Sequence, residues 1–193
     1  MKTIKSLLIA SALILGSLPL MAQTKVASTG GVSPHETISQ TFDGVRNNRV
    51  TITYGRPYTK DPKTGDAREI WGTLVPYGKV WRTGSDEATI LITQKTIMFG
   101  DTAVPAGAYT LWTLPNEDGT AKLIINKQVG QWGVGPGSYD EKQDLARVDL
   151  KKDVTDKTND QFTIALAKNK EGGGTIKLMW ANTQYSAAFT VQK

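Results

Sequence analysis

The chain has no cysteine and only one histidine, His35. Without cysteine there is no disulfide, no thiolate metal site, no cysteine nucleophile and no N-terminal cysteine to carry a lipid. One histidine near the start of the chain also excludes a multi-histidine zinc site and a histidine-based triad, and His35 itself reads as solvated. No cofactor and no metal is expected. The stretch Asp61–Asp66, DPKTGD, has oxygen ligands but lacks the acid spacing of an EF-hand loop, so it reads as a turn.

Runs of charge are missing too. Setting aside Lys2 and Lys5 reduces the 23 basic residues to 21, against 18 acidic ones, a net charge of +3 with the two signs interspersed. Nucleic acid is therefore not an expected partner. Long apolar runs are absent apart from one. Lys2 and Lys5 precede SLLIASALILGSLPLMA, and small Ala22 precedes Gln23. This is the pattern of a secretory signal peptide over residues 1–22. The run is shorter than the roughly 20 residues that span a bilayer. No membrane span is expected once it is cleaved, and the mature protein is expected in the periplasm or outside the cell. The mature chain, Gln23–Lys193, has 171 residues, enough for one sizeable core that must hold without cross-links.

What is present has a period of two. Residues 23–35, QTKVASTGGVSPH, are small and polar and read as a flexible leader, with a single domain over 36–193. Val50, Ile52 and Tyr54 alternate with Arg49, Thr51 and Thr53. Phe162, Ile164 and Leu166 share one face, Ile176, Leu178 and Trp180 another, and Tyr185, Ala187, Phe189 and Val191 a third. Each set predicts a half-buried strand. ATILITQ, TIMFG, YTLWTLP and AKLIINK are apolar on both faces, and PKTGD, PNEDG, FGDTAVPAG and KEGGG mark turns between strands. Helices are expected only as short pieces near Glu69–Thr73 and Asp140–Leu145. The predicted fold is all-β, an antiparallel β-sandwich of about eight to eleven strands, Ig-like or jelly-roll-like.

The arginines are unevenly placed. Arg46, Arg49, Arg56, Arg68 and Arg82 fall within one part of the chain and only Arg147 lies outside it. A guanidinium is a planar fork for carboxylates and phosphates, so its clustering carries more information than that of lysine. Arg56 is in step with Val50, Ile52 and Tyr54, and Arg82 with Val80, so both are expected to point inward at a strand end, where a charge needs a partner. Asp86 and Glu87 follow Arg82 across a Thr83–Ser85 turn, and Asp140 and Asp144 precede Arg147. Arg82 is expected within salt-bridge reach of Asp86 or Glu87, with Arg56 or Arg68 in the same patch. As neighbours on one strand, Asp86 and Glu87 would face opposite ways and make a poor catalytic pair. Trp71, Tyr77, Trp132 and Tyr139 lie in Gly- and Pro-rich connections, as stacking platforms or as caps on a core edge. The stretch around Trp132, with Gly130, Gly133, Gly135, Pro136 and Gly137, is the best candidate for a mobile loop.

SPHETISQTF, VTITYGRP, REIWGTLVPYGKVWRTGSDEAT, VPAGAYTLWTLP, QWG, YDEKQDLARV and GTIKLMWANT together resemble successive blocks of the secreted DUF2911 family over about residues 33–192. The resemblance implies an exported, mostly β domain and brings no established activity. It places the family's polar signature on Arg56, Pro57, Arg68, Trp81, Arg82, Glu87, Thr89, Trp132, Gly133, Asp144 and Arg147. This chain departs from the family in two places. The link after Arg56–Pro57 is longer, and Ser85–Asp86 stands where the family tends to have Ala-Asn. Asp86, when ionised, only accepts hydrogen bonds where an asparagine could donate.

Three functions fit these residues. The first is a non-enzymatic binding module for a carbohydrate or small anionic ligand at Arg56, Arg68, Trp81, Arg82, Asp86, Glu87 and Trp132. The second is a structural or protein-interaction domain in which the same cluster only closes the core. The third is a hydrolase with Glu87 or Asp86 as general base.

Overall fold

The structure, a computed structural model, describes residues 33–42, 48–170 and 172–192. The signal-peptide reading, nearly all of the leader and Arg46 lie outside the described residues. Nine antiparallel strands form the fold: β1 (His35–Thr41), β2 (Arg49–Gly55), β3 (Thr89–Thr93), β4 (Ile97–Phe99), β5 (Thr102–Val104), β6 (Gly107–Pro115), β7 (Ala121–Asn126), β8 (Asp144–Lys168) and β9 (Gly173–Val191). They are hydrogen-bonded in the order β1-β2-β3-β6-β7-β8-β9-β4-β5 and do not close into a barrel. One 3-10 turn, Glu141–Gln143, is the only helical element among the described residues, and Glu69–Thr73 forms turns instead.

β8 turns this ribbon of strands into two layers. Straight, its 25 residues would run about 80 Å at roughly 3.3 Å per residue, far beyond the width of a domain this size. Instead Asp144–Leu150 pairs with β7, Lys151–Val154 pairs with β9, register shifts follow between Val154 and Thr163, and Thr163–Lys168 continues the pairing with β9. The β4–β5 hairpin hangs on the far side of β9. The chain therefore crosses to the second layer after β3 and returns for β6. Between the layers lies one apolar core, drawn from β1, β2, β3, β6 and β7 on one side and from β8, β9, β4 and β5 on the other.

β9 unites two stretches that the alternation presents as separate. Ile176, Leu178 and Trp180 are buried, and beyond them the buried set shifts by one residue to Thr183, Tyr185, Ala187, Phe189 and Val191. Ala181 sits at the change of phase with a left-handed φ of 50°. A residue in that conformation within a strand marks a bulge, and the bulge resets which side chains face inward. The double-sided apolar character of β6 and β7 has its own explanation. Ala88, Trp112 and Ile124 form a second small core on the outer face, covered by Val80, Leu114 and Tyr139. The connecting segments are thereby fastened to the sheet from outside.

Arg56 does point inward, but its partner comes from β1. Its Nη1 lies 3.2 Å from Glu36 Oε2, its Nε donates to Phe162 O at 3.1 Å and its Nη2 to Thr163 Oγ1 at 2.8 Å. Tyr54 Oη donates to the same Glu36 oxygen at 2.7 Å and accepts from Ile164 N at 2.9 Å. The cluster ties β1 and β2 to β8 across the core. Burial, helped by the Glu36 carboxylate, pushes the Tyr54 phenol well above its ordinary 10.0. Below pH about 10 the stability this confers is fully present. As pH rises further, the unfolded chain releases the proton that the folded one retains, and stability falls. Urea melts between pH 9 and 12 are expected to fall more steeply for the wild type than for Tyr54→Phe; parallel slopes would place the alkaline sensitivity elsewhere.

Candidate functional site

The stretch Trp81–Thr89 is wound tightly against β2 and β6. Trp81 exchanges two backbone hydrogen bonds of 2.8 Å with Thr113. The Thr83 and Thr113 hydroxyls are 2.8 Å apart, and Thr89 Oγ1 donates to Thr83 O at 2.7 Å. Ser85 N donates to Gly55 O at 3.3 Å. A β-carbon on Gly55 would lie 2.2 Å from Ser85 O, so only glycine permits this approach. Thr83 and Asp86 both take positive φ, 55° and 64°. Such backbone is costly for a β-branched threonine and persists only where surrounding contacts enforce it. Asp86 and Glu87 are therefore not neighbours on a regular strand, and the expectation that they face opposite ways fails. Both turn toward His35, whose Nε2 is 2.8 Å from Glu87 Oε2 and 3.9 Å from Asp86 Oδ2. His35 is not solvated: it opens β1, and its side chain is 15% exposed.

Arg82, Ser85 and Asp86 line one pocket of about 210 Å³. Arg68, Tyr58, Pro57, Pro62 and Leu74 join them, with Trp81 and Trp180 against its apolar side. The two indoles are stacked, with ring centroids 5.7 Å apart and planes inclined by 19°. Arg68 Nη2 donates to Tyr58 O. The expected ion pair of Arg82 is not found among the described residues. Burial lowers the affinity of its guanidinium for the proton and the Asp86 charge only opposes this. Among the described residues no acceptor meets its side chain, and its Nε is buried without a partner. Arg68 Nε, Ser85 Oγ, Asp86 Oδ2 and Trp180 Nε1 are likewise buried with no hydrogen-bond partner among the described residues. Unpaired buried polar atoms cost about 1–3 kcal/mol each, and five belong to residues around this one pocket. The left-handed residues Thr83, Asp86 and Ala181 also lie within or beside its lining.

Four of the seven residues singled out from the sequence thus meet at the pocket: Arg68, Trp81, Arg82 and Asp86. Arg56 is engaged with Glu36 and β8 instead, and Glu87 with His35. Trp132, 50% exposed, sits in the loop that lies along Asp86–Ala88, where Gly133 N donates to Asp86 O at 3.0 Å. A β-carbon on Gly133 would fall 1.9 Å from Arg82 Cδ and 2.7 Å from Asp86 O. Gly133→Ala is expected to cost about 1–3 kcal/mol by overpacking and to loosen the loop from Arg82, checked by urea melts and by the rate of proteolysis at 130–137. An unchanged rate would mean that Arg82 yields instead. The sequence reading missed Ser85, Tyr58 and Trp180. Alternation assigned Trp180 to the core, where it is, and carried no sign that the same ring also borders a pocket.

The remaining acidic candidates are structural. Arg147 donates from Nε to Asp144 Oδ2 at 2.8 Å and from Nη2 to Glu141 Oε1 at 2.8 Å, while Asp140 caps the 3-10 turn. Asp61 Oδ1 accepts from the backbone of Lys63 and Thr64 at 2.8 and 3.3 Å, the side-chain-to-backbone pattern of a turn.

No curated protein and no solved structure matches the chain. The sequence profile of the family described as "Protein of unknown function (DUF2911)" matches residues 33–189, which takes in β1, the pocket and nearly all of β9, and the chain accordingly belongs to the DUF2911 family.

Proposed function

We propose that this is an exported, non-enzymatic binding module that holds a carbohydrate or small anionic ligand in the pocket of Arg68, Arg82, Ser85 and Asp86. The observation that carries the reading is the Arg82 side chain, half-buried at the pocket wall and donating to no acceptor among the described residues. A desolvated guanidinium fork without a partner is a ready seat for a carboxylate, a phosphate or sugar hydroxyls. Tyr58 and Leu74 offer apolar surface beside it, backed by the buried indole stack. Arg56 and Arg147, by contrast, each pair with a protein carboxylate and donate to protein acceptors, as an architectural cluster would.

The test is a thermal-shift screen of sugars, sugar acids, carboxylates and phosphates on the chain from Gln23 onward. A ligand at 100 times its Kd adds about 2.7 kcal/mol, which for a domain of this size raises Tm by roughly 5–10 °C. Arg82→Ala is expected to abolish the rise, and Arg82→Lys to restore only part of it, because lysine keeps the charge and loses the fork. If no compound moves Tm, the cluster has only the architectural role. Export is checked separately by mass spectrometry of the N-terminus in the envelope and medium, with Gln23 expected first.

A further inference from the structure

We propose that the ligand is a hydroxycarboxylate of the sugar-acid type, a small ring or chain with a carboxylate and neighbouring hydroxyls. This rests on the binding reading above and narrows it. The hydrogen-bonding groups around the pocket are unequal in kind. The Arg82 guanidinium carries five N–H donors and gives none to the described residues. Arg68 gives one to Tyr58 O, its Nε is unpartnered, and the unpartnered Nε1 of Trp180 can only donate. Against these donors stand the Asp86 carboxylate, whose Oδ2 has no hydrogen-bond partner, and the Ser85 hydroxyl.

A carboxylate on the ligand answers a guanidinium fork with two parallel acceptors. It does not answer Asp86, which when ionised only accepts hydrogen bonds and repels a bare anion. A ligand hydroxyl that donates to Asp86 resolves that conflict. A neutral sugar leaves the arginine charge unmatched, and a simple carboxylate or phosphate leaves Asp86 Oδ2, 3.9 Å from His35 Nε2, without a hydrogen-bond donor. Both requirements are met by one molecule carrying the two groups a few ångströms apart. Pro57, Tyr58 and Leu74, in front of the buried Trp81–Trp180 stack, provide apolar surface for the C–H face of such a molecule. The pocket volume of about 210 Å³ is below that of drug-sized sites, which limits the ligand to a single small unit.

Calorimetric titration of the chain from Gln23 onward with D-glucuronate, D-glucose, propionate and inorganic phosphate tests this. Glucuronate is expected to bind at least about tenfold more tightly than the other three. Asp86→Asn keeps a residue type that tolerates positive φ, so it is expected to fold with an unaltered melting profile. It is expected to cut the ratio of glucuronate to propionate affinity about tenfold. Glucose binding as tightly as glucuronate would show a neutral-sugar site. Propionate or phosphate doing so would show a plain anion site. Either result overturns the sugar-acid assignment and leaves the binding reading intact, and an unchanged affinity ratio in Asp86→Asn overturns the assignment too. Binding of none of the four removes both.

Discussion

Trp81→Ala is expected to lower the free energy of unfolding by about 3–5 kcal/mol, the range for deleting a large buried aromatic. Trp81 is 8% exposed. It stacks on Trp180 and meets the edges of Phe162 and Trp71 at centroid distances of 5.0 and 6.0 Å. Such pairs add about 0.5–1.5 kcal/mol beyond the area they bury. Its Nε1 also donates to Gly84 O at 3.1 Å, so the ring pins the strained turn that presents Ser85 and Asp86. The variant therefore loses core packing and the shape of the pocket together. Urea unfolding of both proteins checks this, with Trp81→Phe expected to lose less than half as much because a ring remains in the stack. A loss under about 1 kcal/mol for Trp81→Ala would mean that the stack collapses around the gap, and that Trp81 is not the keystone of this end of the sandwich.

Glu36→Ala is expected to destabilise by about 3–5 kcal/mol, the cost of breaking a buried pair from one side. Glu36 is 4% exposed and is shared by the Arg56 guanidinium and the Tyr54 hydroxyl. Its removal leaves a half-buried cation facing only a carbonyl and a hydroxyl, and an unmatched phenol. The loss is expected mainly as faster unfolding of β1, the edge strand of its layer. A double-mutant cycle with Arg56→Ala is expected to give a coupling above about 1 kcal/mol. Additive losses would show that the two side chains stabilise the fold independently. Since Arg56 is absent from the pocket lining, ligand response should survive in any of these variants that remains folded. That separates the architectural arginine from the one proposed to bind.

The all-β class, the strands β2, β3, β6 and β7, and the inward face of β2 were legible in the sequence. Alternation is a local property: a residue two positions on returns to the same face whatever the strand pairs with. The same logic placed Arg56 inward correctly and marked Trp81–Glu87 as a stretch of interest. It could not say which charges meet. Glu36 reaches Arg56 because Glu36 pairs with Tyr54 in the β1–β2 register, and a register is a property of two strands. Parity failed where the backbone leaves the regular strand. Left-handed Thr83 and Asp86 bring both acids to His35, and left-handed Ala181 joins two apparent strands into one. The pocket needs Tyr58, Arg68, Arg82 and Trp180 from far-separated segments held together by the fold. Burial pattern was written in the chain, whereas the unpaired Arg82 was decided by tertiary structure, because a charge lacks a partner only in relation to everything packed around it.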